Sequence, residues 1–469
     1  MPTRWIRVVP AGALRDGFEA IRREAGVPDR FPPDVEAEAS AAAEQARPDR
    51  ERVDVPFVTI DPPGSRDLDQ ALHIERRGDG HRVRYAIADV AAFVAQGGAL
   101  DRDTHRRGVT VYAPDEKAPL HPPVLSEGAA SLLPGGWRPA VLWTLDLDAT
   151  GALTATDVRR AQVKSVAQHT YEDVPADVAA LLREVGERRL ALERDRGGVR
   201  LAVPEQEVIR EDGSWTVRYR VPLATEDHNA QVSLLTGMAA AQLMLKAGTG
   251  ILRTQKPPSE RSLARLRRQA AALNVPWPDD LSYPEFIRTL DPKIPAHAAV
   301  MHEATGVGGA AGYTAFDGEP PQDAAHFAVA AHYAHATAPL RRLQDRFVSE
   351  CCLAACAGTP VPDWVRQGLP ALPEAMSAGA HRAGKVERGV VDLVEAAILA
   401  GREGERFDAV VIDDGLVQLR EPAIRGPLED GGPPPGRDVA VRLETADVAA
   451  RKVAFRAVSD APDGSPSPS

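Results

Sequence analysis

The stretch Thr59-Ile60-Asp61-Pro62-Pro63-Gly64-Ser65-Arg66-Asp67-Leu68-Asp69-Gln70-Ala71-Leu72 limits what this chain can fold into more than any other part of it. Apolar residues that end on a single aspartate read as a buried strand running out to a polar rim, and Pro62-Pro63-Gly64 then imposes a turn. Beyond the turn Asp67 and Asp69 alternate around Leu68, so in an extended segment both carboxylates point to one side. Asp61 can converge with them through the turn. Three carboxylates at one point repel one another unless a cation lies between them, and hard oxygen donors suit Mg2+ or Mn2+. Asp-rich turns are also common as purely local structure, and the spacing alone leaves both readings open.

At 469 residues the chain is too long for one ordinary domain, and two or three are expected. Hydrophobic residues at 43% and charged residues at 26% are the proportions of a globular protein in water. No run approaches the roughly eighteen apolar residues of a membrane span, and Met1-Pro2-Thr3-Arg4-Trp5 lacks the basic-then-apolar layout of a signal peptide. Cys351, Cys352 and Cys356 share one short segment, so they cannot staple distant parts of the chain and they lack a fourth zinc ligand. Small buried thiols of a reducing compartment are expected, and with them a cytoplasmic location. The net charge of −11 argues against indiscriminate binding to nucleic acid. An enzyme of this charge acting on RNA has to gather its Lys and Arg into a cleft or use metal cations.

The patterning indicates an α+β protein. Residues 1–52 form a helical N-terminal segment, with Leu14, Phe18 and Ile21 on one face and a second helix after Pro32-Pro33. The pair is either a helix-turn-helix or a clasp on the next domain, and an exposed face that is not basic favours the clasp. A large domain, 53–400, opens with strands at 55–60, 83–88 and 140–145, and beyond Thr170 helices are expected at 173–194, 226–247, 259–273, 284–291 and 337–357. Residues 401–458 carry short strands at 405–412, 416–419, 438–443 and 452–455, spaced as in an OB-fold β-barrel. The Ser/Pro/Gly/Asp tail, 459–469, is expected to be disordered.

Beyond the aspartate cluster, a series of motifs follows in order: Tyr85-Ala86-Ile87-Ala88-Asp89-Val90, Arg107-Gly108-Val109-Thr110-Val111-Tyr112-Ala113-Pro114-Asp115, Leu125-Ser126-Glu127-Gly128, Thr170-Tyr171-Glu172-Asp173, Arg196-Gly197-Gly198, and Ala338-Pro339-Leu340-Arg341-Arg342. Together with Ile60-Asp61-Pro62-Pro63 and Arg66-Asp67-Leu68-Asp69, this series resembles the nuclease (RNB) domain of the ribonuclease II family over roughly residues 53–360. The resemblance implies an RNB fold with a mixed sheet and helices, and an OB-type RNA-binding domain at the C-terminal end. It implies 3′-to-5′ hydrolysis of single-stranded RNA to nucleoside 5′-monophosphates with Mg2+ or Mn2+. Carried over by position, Asp61, Asp67, Asp69 and Gln70 are the metal ligands, with Asp69 and Arg341 at the chemistry. Tyr112, Tyr171, Gln231 and Arg342 are the residues expected to bind the substrate.

Those roles agree with the chemistry of phosphodiester cleavage. Divalent ions can clamp the attacking and leaving oxygens, a guanidinium grips phosphate through two parallel bonds, and aromatic faces hold bases without reading sequence. Two positions depart from the family. Gln70 stands where a fourth aspartate is usual, and Gln231 is only a loose match to a glutamate that orients the terminal nucleotide. The family's N-terminal cold-shock barrels have no counterpart in the first 52 residues. Gln70 motivates an alternative, a catalytically impaired RNB-fold protein that binds RNA. His326, His332 and His335 are better explained by the motif around them than by zinc. Single-stranded RNA is the expected partner, and a monomer outside the membrane is the expected state.

Overall fold

Val83, Tyr85 and Ile87 alternate with Arg84 and Ala86, the period of a strand with two distinct faces. The computed structural model describes residues 9–10, 14–45, 49–201, 205–211, 214–220 and 222–458; the expected tail lies outside the described residues. A short strand, β1 (Val9–Pro10), precedes helices α1 (Arg15–Glu24) and α2 (Pro33–Glu44). Next come β2 (Arg52–Ile60), β3 (Gln70–Arg77), β4 (Gly80–Ala88), helix α3 (Ala99–Arg107), the hairpin β5 (Val111–Tyr112) and β6 (Lys117–Ala118), then β7 (Arg138–Leu147) and β8 (Leu153–His169). Strands β2, β3, β4, β7 and β8 form a closed barrel in that order, antiparallel throughout except where β2 runs parallel to β8 and closes it.

Both faces of the barrel strands are buried, which is why 140–145 reads as a nearly continuous apolar run. Val83, Tyr85, Ile87, Val141, Trp143 and Leu145 enter one core. Phe57, Ala86, Ala88, Ala140, Leu142 and Val163 enter another, together with Val35 and Ala39 of α2. The first core is completed by α4 (Ala176–Asp195) and by two helices of the following region. That region comprises β9 (Glu205–Glu211), β10 (Ser214–Arg220), α5 (Ala224–Ala247), β11 (Thr249–Thr254), α6 (Glu260–Ala272), α7 (Tyr283–Arg288), α8 (Pro295–Ala304), β12 (Gly312–Asp317), α9 (Leu343–Ala357), α10 (Asp363–Gly368) and α11 (Leu372–Leu399). Leu235 and Met244 of α5 and Phe347 and Cys351 of α9 pack into the first core, and Cys351 and Cys352 are buried thiols.

The C-terminal unit contains β13 (Arg406–Asp413), β14 (Leu416–Leu419), β15 (Arg425–Pro427), β16 (Asp438–Asp447) and β17 (Lys452–Ala457). Its sheet order is β15-β14-β13-β16-β17, and a bridge between Leu428 and Phe455 brings the two edges together, as an OB-type strand set requires. The apolar core runs across the expected boundary at 400. Val394 and Ile398 of α11 share a cluster with Leu14, just before α1, with Phe18 and Ile21 of α1 and with Phe407, Val411 and Phe455 of the C-terminal sheet. Helix α2 acts as a clasp too, since Glu38 accepts the Ala99 N–H at 2.6 Å at the start of α3.

The helix expected over 337–357 begins only at Leu343. Pro339 removes a backbone donor, and Arg342 is extended at φ −136°, so 337–342 is a loop whose backbone is available to other partners. The long strand β8 and the helix α11 were not expected. The former alternates Arg159, Arg160 and Gln162 with small apolar residues and shows little hydrophobic period.

One contact aims this loop. Gly237 of α5 lies against Tyr333 and Ala334, its carbonyl accepting the Ala334 N–H at 3.1 Å, and a Cβ at 237 would run into the Tyr333 ring and the Ala334 carbonyl. Gly237→Ala is expected to lower stability by about 1–3 kcal/mol, the usual cost of an overpacked core. Urea unfolding should show a lower midpoint with an unchanged slope; an unshifted midpoint would show that the contact has room to spare.

Candidate active site at the barrel rim

The aspartate loop spans the rim between the end of β2 and the start of β3. The Asp61 N–H donates to the His169 carbonyl at 3.0 Å, where β2 and β8 end together. Ser131 clasps the far side: its hydroxyl donates to the Arg66 carbonyl at 2.6 Å and accepts the Leu68 N–H at 3.0 Å. Leu68 is fully buried, so the side chains flanking it turn the other way. Gln168 adds a bond from its amide nitrogen to the Ser65 carbonyl at 2.8 Å.

The loop at 337–342 meets this rim from the opposite side of the sequence. The Leu340 N–H donates to Asp69 Oδ1 at 2.7 Å, and Arg341 Nε lies 3.6 Å from Asp69 Oδ2. The Gln70 amide nitrogen donates to the Thr337 carbonyl. The Arg341 side chain is 43% exposed, so its outer edge can meet a ligand while its inner edge faces Asp69. Arg342 points elsewhere: its guanidinium holds both oxygens of the buried Asp345, Nη2 at 2.7 Å from Oδ2 and Nε at 3.1 Å from each. Asp345 Oδ2 in turn accepts the Ala338 N–H at 2.7 Å. That pair braces the loop bearing Arg341.

The three aspartates differ electrostatically. Burial raises Asp61 to about 7, with the nearby Asp67 charge adding to it. Burial likewise raises Asp69 to about 8, against the opposing charge of Arg341 and the Leu340 N–H. At Asp67 burial also pushes upward, but Lys117 outweighs it and holds the carboxyl below its ordinary value. Lys117 Nζ lies 2.8 Å from Asp67 Oδ1, and the Tyr112 hydroxyl donates to Asp67 Oδ2 at 3.0 Å.

Asp61 Oδ2 is buried without a hydrogen-bond partner. An orphaned Asp61 oxygen with the Asp67 charge nearby, and a buried Asp69 that faces the same Arg341 guanidinium, are donors that fit a hard divalent cation. Among the described residues no three acidic, His or Cys side chains form a ready-made cage, because Asp67 is turned toward Lys117 and Tyr112. A metal ion at this rim would rest first on Asp61 and Asp69, the two carboxylates that no lysine holds.

The remaining expected residues are divided. Tyr112 is half-exposed and lines a cavity of about 460 Å³ with Gln206, Arg220 and Glu387. Tyr171 sits where β8 gives way to α4, its hydroxyl raised by burial and then by the charge of Asp61. Gln231 is buried on α5 and donates to Glu193 at 2.6 Å, within a polar knot that includes Arg196 and Arg200. The sequence reading missed Lys117, Ser131 and Asp345. Lys117 is the cross-strand neighbour of Tyr112, a pairing legible only once the hairpin is recognised.

An RNB domain model matches residues 50–356, and an RNase II-type exonuclease C-terminal S1 domain model matches residues 405–458. The chain is 27% identical over 447 residues to ribonuclease R of Aquifex aeolicus, covering 87% of this chain and 62% of that protein. It spans 62% of that relative's length and 51% of the length of ribonuclease R of Vibrio cholerae, which it matches at 26% identity over 82% of this chain. In structure it is similar to Mycoplasma genitalium RNase R in complex with ribose-methylated single-stranded RNA, with a TM-score of 0.84 and 17% identity, covering 94% of this chain and 77% of that one. It is also similar to yeast Ssd1, a pseudonuclease, with a TM-score of 0.67 and 15% identity, covering 91% and 57%.

Position 70 is testable on the free protein. Gln70→Asp sets a carboxylate against the Thr337 carbonyl and is expected to lower stability by roughly 1–3 kcal/mol, the cost of an unsatisfied buried group. The same change adds a negative charge next to Asp69 and should tighten any Mg2+ binding seen in a calorimetric titration. A variant with wild-type unfolding and wild-type Mg2+ affinity would make Gln70 a bystander.

Proposed function

From the premise that the chain belongs to the RNB-domain family, we propose that it removes nucleotides one at a time from the 3′ end of single-stranded RNA, releasing nucleoside 5′-monophosphates. The observation that carries this reading is the meeting, at one rim, of two buried under-compensated carboxylates, Asp61 and Asp69, with the exposed guanidinium of Arg341. Asp61 and Asp69 would hold Mg2+ or Mn2+, which when bound supplies Lewis-acid charge and an activated water. Asp67 takes part from beside them, held by Lys117 and Tyr112.

Arg341 grips the scissile phosphate through its exposed edge, and Asp345, through Arg342 and the Ala338 N–H, keeps that loop in place. Arg342 therefore serves the substrate by position rather than by touch. Tyr112 and Tyr171, at the two sides of the aspartate loop, provide faces for the terminal bases. Gln231, bonded to Glu193, acts at most by shaping α5. The S1-type sheet offers a second surface for RNA. We place the protein in the cytoplasm as a monomer; among the described residues no helix is long and apolar enough to cross a membrane.

Gln70 favours one other reading, an RNB-fold protein that binds RNA without cutting it, as the likeness to a pseudonuclease fold illustrates. A 5′-labelled single-stranded RNA incubated with Mg2+ or Mn2+ separates the two. Exonuclease action gives a ladder that shortens from the 3′ end with 5′-monophosphates as product; intact RNA, internal cuts or 3′-monophosphates contradict it. Asp69→Asn should nearly abolish turnover while RNA affinity stays within a few-fold, since affinity comes from many backbone and stacking contacts. Arg341→Ala should slow turnover on the order of 10²–10³-fold, as expected for losing one charge contact to the transition state. Wild-type rates in either variant would displace the site.

A further inference from the structure

Lys117 reaches the aspartate loop from the hairpin β5–β6, where it faces Tyr112 across the strands. Its ammonium lies 2.8 Å from Asp67 Oδ1 and 2.9 Å from Glu127 Oε1, and its side chain is 26% exposed, so it is enclosed between two carboxylates. A second salt bridge, Arg66 to Glu127 at 3.9 Å, ties Glu127 back to the loop. On the other side of the cluster Gln70 brings no charge and commits its amide nitrogen to Thr337. The acidic groups of the rim therefore fall into two sets. Asp61 and Asp69 have no lysine beside them, and one Asp61 oxygen has no partner at all; Asp67 and Glu127 already enclose a cation.

We propose that Lys117 is a built-in cation, its ammonium standing between Asp67 and Glu127 where a second metal ion would otherwise bind, so that the centre loads a single divalent ion on Asp61 and Asp69. This rests on the proposed metal-dependent nuclease reading and specifies how that site is charged. The charge balance supports it. Asp61, Asp67, Asp69 and Glu127 carry four negative charges against the three positive charges of Lys117, Arg66 and Arg341, so a single divalent ion already leaves the cluster net positive for a phosphate. A second divalent ion would have to sit against the ammonium in a half-buried site, with Gln70 giving no compensating charge. Lys117 acts through Asp67 and is thus a positioning residue for the ion and the phosphate, distinct from the groups that touch substrate.

The test counts bound ions on the full chain, by Mn2+ electron paramagnetic resonance with equilibrium dialysis, alongside degradation of single-stranded RNA in the same samples. The wild-type protein should bind one Mn2+ in the cluster. Lys117→Met, which frees Asp67 and Glu127, should bind a second, and its activity should rise with Mn2+ in two steps rather than one. Lys117→Arg keeps the charge and should retain the single ion; Lys117→Gln repeats the Met test should the apolar side chain unfold the hairpin. Two ions on the wild-type protein, or an unchanged count in both neutral variants, overturns the assignment of Lys117 even where RNA is degraded. One ion on a wild-type protein that degrades no RNA supports the lysine assignment and overturns the exonuclease reading instead.

Discussion

The hydrogen bond from the Leu340 N–H to Asp69 joins two loops that are 271 residues apart in sequence. It acts with the bond from Gln70 to Thr337, with the Thr110 N–H on the Arg341 carbonyl at 3.0 Å and with His121 on the Leu340 carbonyl at 3.1 Å, and of these it is the bond that reaches an aspartate of the cluster directly. Each loop is held from behind. Ser131 and His169 fasten the aspartate loop to the barrel, while Asp345 and Gly237 fasten the arginine loop to α9 and α5. The chemistry-bearing side chains therefore stand on loops, but loops braced by rigid elements on both sides.

Holding these carboxylates in place has an energetic cost. Asp61 and Asp69, raised by burial, bind protons in the folded protein that an unfolded chain would release above its ordinary carboxylate range. Because the native state binds more protons there, this burial penalty grows as pH rises from about 4 towards about 8, opposite to the usual salt-bridged aspartate. Asp67 shows the contrast, since Lys117 compensates it internally. A cation on the other two would remove the penalty, so any ion held there would stabilise the folded protein.

Much of this was legible in the sequence, and for physical reasons. Val83, Tyr85 and Ile87 alternate because they face one core, and Leu14, Phe18 and Ile21 recur at helical spacing because they face another. Asp67 and Asp69 share a side because Leu68 must be buried between them. What was not legible depends on long-range partners. Residues 337–342 carry helix-compatible side chains, and only Pro339 hinted that their backbone serves Asp69 instead. Arg342 reads as a substrate contact until Asp345 is seen to occupy its guanidinium. Lys117 carries no signal of its own in the sequence, because it reaches a carboxylate 50 residues earlier.

The fold carries buried, under-compensated carboxylates at Asp61 and Asp69, a burden that a divalent ion would relieve. Thermal unfolding at about pH 8 of the wild-type protein, Asp61→Asn and Asp69→Asn, each in EDTA and in Mg2+, tests it most directly. In EDTA both asparagine variants should melt at or above the wild-type temperature, because a neutral amide removes the burial penalty on charge. Mg2+ should raise the melting temperature of the wild-type protein and do so far less for either variant. Variants that melt below the wild-type protein in EDTA, together with a Mg2+ shift equal in all three, would contradict the account.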